Sequence, residues 1–346
     1  MLGERDELEL CVIYQSDTQP SWDVDDDWFA REHPYPARHL RSWQRGRPGR
    51  TPIVWPRGLE RALSAFEPDV VVASEYSPAS LRALAWCRRR GRAFLVFTEC
   101  TPQINSMIPP AQLSLHRWVA RKADGVIAVS SAARNRVLDF GIPDRRVTVA
   151  LQSADLESIR AQPASHCQTG ISVLSVGRLV PDKNFATLIE ACAGLEVRLE
   201  IAGSGFLEGS LRELGQRSGV AVSWHGHLPP AQLPALYARA DIYALVSTYE
   251  PFGVSLREAA AAGLPIVCSR VAGAAGDVAV AGRNAILVDP NSAAEIRGAV
   301  SRLAADAELR RSMGAESRAI DAETDGRDID AFAGAVLAAS RAKQSR

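Results

Sequence analysis

Val176-Gly177-Arg178-Leu179-Val180-Pro181-Asp182-Lys183-Asn184 joins an apolar run at 171–176 to an apolar-periodic stretch at 184–194. A short, continuous Val/Ile/Leu run reads as a strand buried on both faces, and the longer period after it reads as a helix. The same alternation extends in both directions. Towards the N-terminus, strands are expected at 8–14, 69–74, 93–98, 125–130 and 147–150, with helices at 58–66, 78–90, 111–122 and 131–140. Towards the C-terminus, strands are expected at 197–202, 221–225, 241–246, 265–268 and 285–288. Helices fall at 206–218, 230–239, 254–262, 292–305 and 307–318. Residues 152–170 break the pattern with a polar stretch. The expected class is α/β: two Rossmann-like, doubly wound domains facing across a cleft. Their bounds are 1–155 and 171–322, with a linker at 156–170 and a tail at 323–346 that ends in a helix.

At 346 residues the chain has room for two buried cores. Forty basic and forty acidic residues cancel, so there is no global basic field for nucleic acid. The six cysteines include no Cys-x-x-Cys pair and lie in or near apolar segments, which suits reduced thiols in a reducing compartment. The opening MLGERDELEL carries charge where a signal peptide needs an apolar run. No stretch approaches the ~20 apolar residues of a membrane span. A cytoplasmic protein is expected, with peripheral contact at the inner membrane face left open.

The chemistry-bearing residues fall in strand-to-helix loops. Arg178 and Lys183 project from one loop, and two cations there suit a diphosphate. Lys183 is one of three lysines, with Lys122 and Lys343, in a chain that otherwise uses arginine. A second loop, Glu250-Pro251-Phe252-Gly253-Val254, runs into an Ala-rich helix that carries Glu258. Gly253 lets backbone amides approach a ligand, and a helix N-terminus offers unpaired N–H groups to phosphate. Carboxylates at 250 and 258 can accept bonds from sugar or ribose hydroxyls; each can equally cap a turn or decorate a helix. Gly203-Ser204-Gly205 is a third glycine turn after a strand. His225 and His227 lack a third ligand at metal spacing.

Taken together, 173–314 resembles the donor domain of retaining glycosyltransferases of family four, which have the GT-B fold. The signs are Gly177-Arg178 with Lys183-Asn184, Gly203-Ser204-Gly205, Gly226, Tyr237 with Ala240-Asp241, and Glu250-Pro251-Phe252-Gly253 with Glu258-Ala259. Ala262-Gly263-Leu264-Pro265 and Gly282-Arg283-Asn284 continue the pattern. The resemblance implies a retaining, metal-independent hexosyltransferase that uses a UDP- or GDP-linked sugar as substrate and needs no cofactor. It implies that Arg178 and Lys183 bind the donor diphosphate. Amides of Phe252, Gly253 and Val254 line the sugar and phosphates, beside Gly203 and Gly205. Glu250 touches sugar hydroxyls and Glu258 the ribose. The acceptor, a glycan, a lipid-linked molecule or a small molecule, would bind the N-terminal domain.

Some residues depart from that pattern. Gly273-Ala274-Ala275-Gly276-Asp277 and Ala285 differ from the family's usual residues, and no glycine follows the first strand in Gln15-Ser16-Asp17-Thr18-Gln19-Pro20. Where many relatives carry a histidine, the strand ends Phe97-Thr98-Glu99, which makes Glu99 the candidate polar residue of the N-terminal half. Two rivals stay open: a nucleotide-sugar epimerase or hydrolase of the same architecture, and a non-catalytic nucleotide-sugar-binding subunit. The acidic run at 23–27 reads as a solvated loop, and 321–332 lacks the final carboxylate of a calcium loop. Arg38, Arg41, Arg45, Arg47 and Arg50, interleaved with Trp43 and Trp55, read either as a solvated face or as a contact for anionic headgroups.

Overall fold

The computed structural model describes residues 2–15, 35–45, 53–163, 165 and 170–345. Residues 16–20 of the first loop, the acidic run 23–27, Arg47, Arg50 and Cys167 lie outside the described residues. By its internal contacts the chain forms two units. The first comprises Met1–Val129, Ala133–Leu151 and Asp328–Arg346; the second comprises Ser130–Ala132 and Gln152–Arg327.

In the first unit, β1 (Val12–Tyr14) pairs in parallel with β2 (Ala37–His39). The expected strand at 8–14 is shortened to three residues, which are half-buried in a two-stranded sheet rather than buried on both faces. An antiparallel ribbon follows, β3 (Ser42–Arg45) with β4 (Ile53–Pro56). The sequence pattern does not announce it, because its residues do not alternate apolar-in and polar-out.

The main sheet is parallel, in the order β5 (Val70–Ser74), β6 (Ala93–Thr98), β7 (Gly125–Ala128), β8 (Val147–Val149). The central β6 and β7 are buried on both faces, as their continuous apolar runs require. On one face, Phe94, Val96 and Val126 pack with Leu63, Leu84, Val119 and Val137 from the flanking helices. On the other, Leu95 and Ile127 meet Ala331, Phe332, Ala335, Val336 and Ala339 of the helix Arg327–Gln344. The chain's last helix thus covers the open face of the first sheet, with Phe97 and Phe332 ring centroids 6.0 Å apart.

The second unit is a six-stranded parallel sheet in the order β11 (Ala221–Gly226), β10 (Val197–Ala202), β9 (Ile171–Val176), β12 (Ile242–Leu245), β13 (Ile266–Ser269), β14 (Ala285–Val288). Its core gathers Val173, Leu188, Leu199, Ile242, Val267 and Val300. The helix expected to end at 318 continues to Thr324, because Ile320 is buried and Asp321 accepts from Arg160 Nε at 2.7 Å. The residues 321–324 are therefore helical rather than a calcium loop.

The helices Val254–Ala262 and Ala307–Thr324 cross closely. A Cβ at Gly314 would lie 2.4 Å from Gly263 O, so only glycine fits there. Gly334 has open space where its Cβ would be. Gly314→Ala should lower stability by about 1–3 kcal/mol. Gly334→Ala, in a helix interior, should raise it by up to about 1 kcal/mol. Denaturant unfolding of both variants checks this; an unchanged midpoint for Gly314→Ala would contradict the close crossing.

Candidate functional site

The second sheet changes its direction of growth between β9 and β12: β10 and β11 extend to one side, β13 and β14 to the other. The loops leaving the carboxyl ends of two such strands diverge and leave a crevice, which is where open α/β sheets bind ligands. Here those loops are 177–184 and 246–253. They are tied together by hydrogen bonds. Thr248 N donates to Asp182 O at 2.9 Å. Asn184 Nδ2 donates to Val246 O at 3.1 Å and to Pro290 O at 2.7 Å, while Thr187 Oγ1 donates to Asn184 Oδ1 at 2.7 Å. Asn184 has φ 58°, a left-handed conformation that asparagine tolerates better than most residues.

This stitching brings Lys183 onto Glu250. The ammonium donates to Glu250 Oε2, which also accepts from Ser247 Oγ at 3.3 Å. Glu250 is only 6% exposed, and a carboxylate that far from water needs a cation beside it. The Lys183 stem runs over Gly177: a Cβ there would lie 3.6 Å from Lys183 Cδ. Arg178, the next residue, is exposed on the same turn.

Glycines let these loops approach backbone to backbone. A Cβ at Gly203 would stand 1.9 Å from Gly177 O, and one at Gly205 would stand 2.4 Å from Leu179 O. Gly177 N donates to Ala202 O at 2.9 Å and Leu179 N to Ser204 O at 2.8 Å. Gly203 and Gly205 thus hold the Arg178 turn against the end of β10. Gly273 does the same for the second loop: its N donates to Glu250 O at 2.9 Å, and a Cβ would lie 1.7 Å from Pro251 O. Phe252 is buried, so its side chain anchors the loop in the core. Gly253, at φ 97°, starts the helix Val254–Ala262, whose first N–H groups have no partner within the helix.

Glu258 lies one turn into that helix. Its Oε2 accepts from the buried Tyr237 hydroxyl at 2.6 Å. Loss of water raises the Glu258 pKa, and the Tyr237 bond only partly offsets this. His225 Nε2 pairs with Glu200 Oε2 at 2.6 Å. Among the described residues no group of three His, Cys, Asp or Glu gathers to hold a metal ion.

Glu99 belongs to the first unit. Its N–H donates to Glu75 Oε1 at 2.6 Å. Glu75 also accepts from Thr98 Oγ1 at 3.0 Å and Cys100 Sγ at 3.1 Å, and it holds φ 56°. Burial pushes its pKa up. The fully buried Arg136, whose charge acts on Glu75, bonds Asn105 Oδ1 at 2.8 Å and His116 Nδ1 at 3.0 Å. Burial and that guanidinium lower His116 to about 4, so the ring is neutral at pH 7 and Nδ1 accepts. No motif marks this cluster; its one signal in the sequence is an acidic residue directly after the apolar strand 70–74.

The family model described as "Glycosyl transferases group 1" matches residues 161–320, and "Glycosyltransferase Family 4" matches 10–158. Glycogen synthase of Mycobacterium tuberculosis is 32% identical over 59% of this chain and 52% of its own length. A GDP-mannose-dependent phosphatidylinositol monomannoside mannosyltransferase of the same organism is 28% identical over 62% and 60%. The chain thus spans about half to three fifths of these relatives. Anabaena HepE, solved with UDP, superposes with a TM-score of 0.78 at 18% identity, covering 96% of this chain and 100% of HepE. At that identity the likeness speaks for the fold, which is GT-B.

The raised Glu258 pKa has a consequence for stability. Below the ordinary carboxyl range the group is protonated in both folded and unfolded chains. As pH rises past it, the unfolded chain ionises first and the folded chain resists, so this group's contribution to stability falls. Glu258→Gln keeps an acceptor for Tyr237 and removes that loss. The variant should gain stability relative to wild type as pH rises from about 4 to about 8, read by urea unfolding. A constant difference across that range would refute the assignment.

Proposed function

Because the chain belongs to the group 1, family four glycosyltransferases, we propose that it moves a sugar from a nucleotide-diphosphate-sugar to an acceptor hydroxyl. The observation that carries this reading is the Lys183–Glu250 pair at the switch point, beside the N-terminus of the helix Val254–Ala262. In this reading the donor diphosphate lies against Lys183, Arg178 and the amides of Phe252, Gly253 and Val254. Glu250 then faces the sugar hydroxyls, and the second oxygen of Glu258 faces the ribose.

Transfer proceeds with retention and without a divalent ion. The bond from the anomeric carbon to the diphosphate oxygen breaks, and its electron pair leaves on the diphosphate. The acceptor oxygen bonds to the same face, and its proton passes to the departing oxygen. Lys183, Arg178 and the helix amides stabilise the charge that develops there. Glu99 is the polar group proposed for the acceptor side. The donor is UDP- or GDP-linked: HepE was solved with UDP, and the mannosyltransferase relative is named for GDP-mannose. The acceptor is a glycan, a lipid-linked molecule or a small molecule, met in the cytoplasm or at the inner membrane face. Among the described residues no helix is long and apolar enough to cross a membrane.

Lys183→Ala and Arg178→Ala should each lower kcat by on the order of 10²–10³, measured as nucleotide release in the presence of an acceptor panel. Wild-type turnover in both would remove the phosphate role. Treatment with EDTA should leave the rate unchanged; a loss that manganese restores would overturn metal independence.

A further inference from the structure

We infer that the β3–β4 ribbon of the first unit is a docking element for an anionic lipid surface. Its alternation is inverted. Ser42, Gln44 and Val54 face inward, while Trp43, Arg45, Ile53 and Trp55 face outward. Trp43, Trp55 and Ile53 are 52%, 49% and 58% exposed, and the two tryptophans are cross-strand partners, as are Arg45 and Ile53. A ribbon selected for its own stability would bury the rings and expose the glutamine.

The ribbon is also held in place. Arg57 N donates to Arg41 O at 2.8 Å. Arg82 Cζ lies 5.6 Å from the Trp55 ring centroid, and its guanidinium bonds Glu60 Oε1 at 2.7 Å and donates to Pro56 O. The outward apolar plane is therefore presented on a fixed support.

Its surroundings select the occupant. The described residues 35–45 and 53–59 contain four arginines and no aspartate or glutamate, within a chain of zero net charge. Arg38, Arg41, Arg45 and Arg57 are exposed. Tryptophan prefers the membrane–water interface, where its ring is buried and its N–H is wet. Arginine beside it meets anionic headgroups, and an aliphatic Ile53 finds acyl atoms rather than solvated polyanion. Docking of the ribbon is independent of the transfer reading and is measured without turnover.

The test is flotation of the full chain with vesicles of phosphatidylcholine alone, or of phosphatidylcholine with phosphatidylglycerol. Wild type should float with the anionic vesicles, stay behind with the neutral ones, and be released by high salt. Arg41→Ser and Arg45→Ser should each weaken binding by about fivefold. Trp43→Ser should weaken it while the chain stays folded at the assay temperature, since only a half-exposed cross-strand partner of Trp55 is lost. Wild type that stays unbound with anionic vesicles would overturn the proposal, as would unaltered binding by an Arg41→Ser/Arg45→Ser double variant. Binding of single-stranded RNA without vesicle binding would overturn it in favour of nucleic acid.

Discussion

The Lys183 ammonium on the buried Glu250 carboxylate is the constraint around which the second unit is arranged. The Glu250 charge would not be tolerated there alone, because removing the ammonium strands the carboxylate away from water. The pair forms only because two loops, 67 residues apart in sequence, leave adjacent strands at the switch point of the sheet. Asn184 fixes that geometry by bonding the carbonyls of Val246 and Pro290 with a single amide group. In the proposed reading, an incoming diphosphate would share Lys183 with Glu250 Oε2, and the other Glu250 oxygen would face a hydroxyl.

Close backbone approach is the second constraint. Gly203 and Gly205 matter less as turn formers than as surfaces against which 177–179 can lie. Gly273 plays the same part for 250–252, even though the residues after it differ from the family's usual pattern. A side chain at any of these glycines would collide with backbone, which cannot move aside as a flexible side chain can. The loops are thereby fixed before any ligand arrives, which reduces the ordering cost of binding.

The first unit carries a different kind of order. Glu75, in a left-handed conformation, gathers Thr98, Glu99 N and Cys100 around one carboxylate. Arg136, His116 and Asn105 form a neighbouring buried group. The bonds these groups make fix local geometry, although Arg136 Nη1 is buried with no hydrogen-bond partner. Here the fixed element is the turn that carries Glu99.

The sequence by itself determined the α/β class, most strand positions and the strand-to-helix loops in which the candidate residues lie. Those features are local: continuous apolar runs, helical periods and glycines at strand ends are written in neighbouring residues. The candidates Arg178, Lys183 and Glu250 were legible for the same reason, as residues of strand-to-helix loops, and Glu258 as a carboxylate in the helix that follows. Only the tertiary structure decided that Lys183 pairs with Glu250, that Tyr237 holds Glu258, and that the last helix covers the first sheet. It also decided that Trp43 and Trp55 share one exposed face. These are contacts between residues far apart in the chain or on paired strands, and no local pattern encodes which distant partner a side chain will meet.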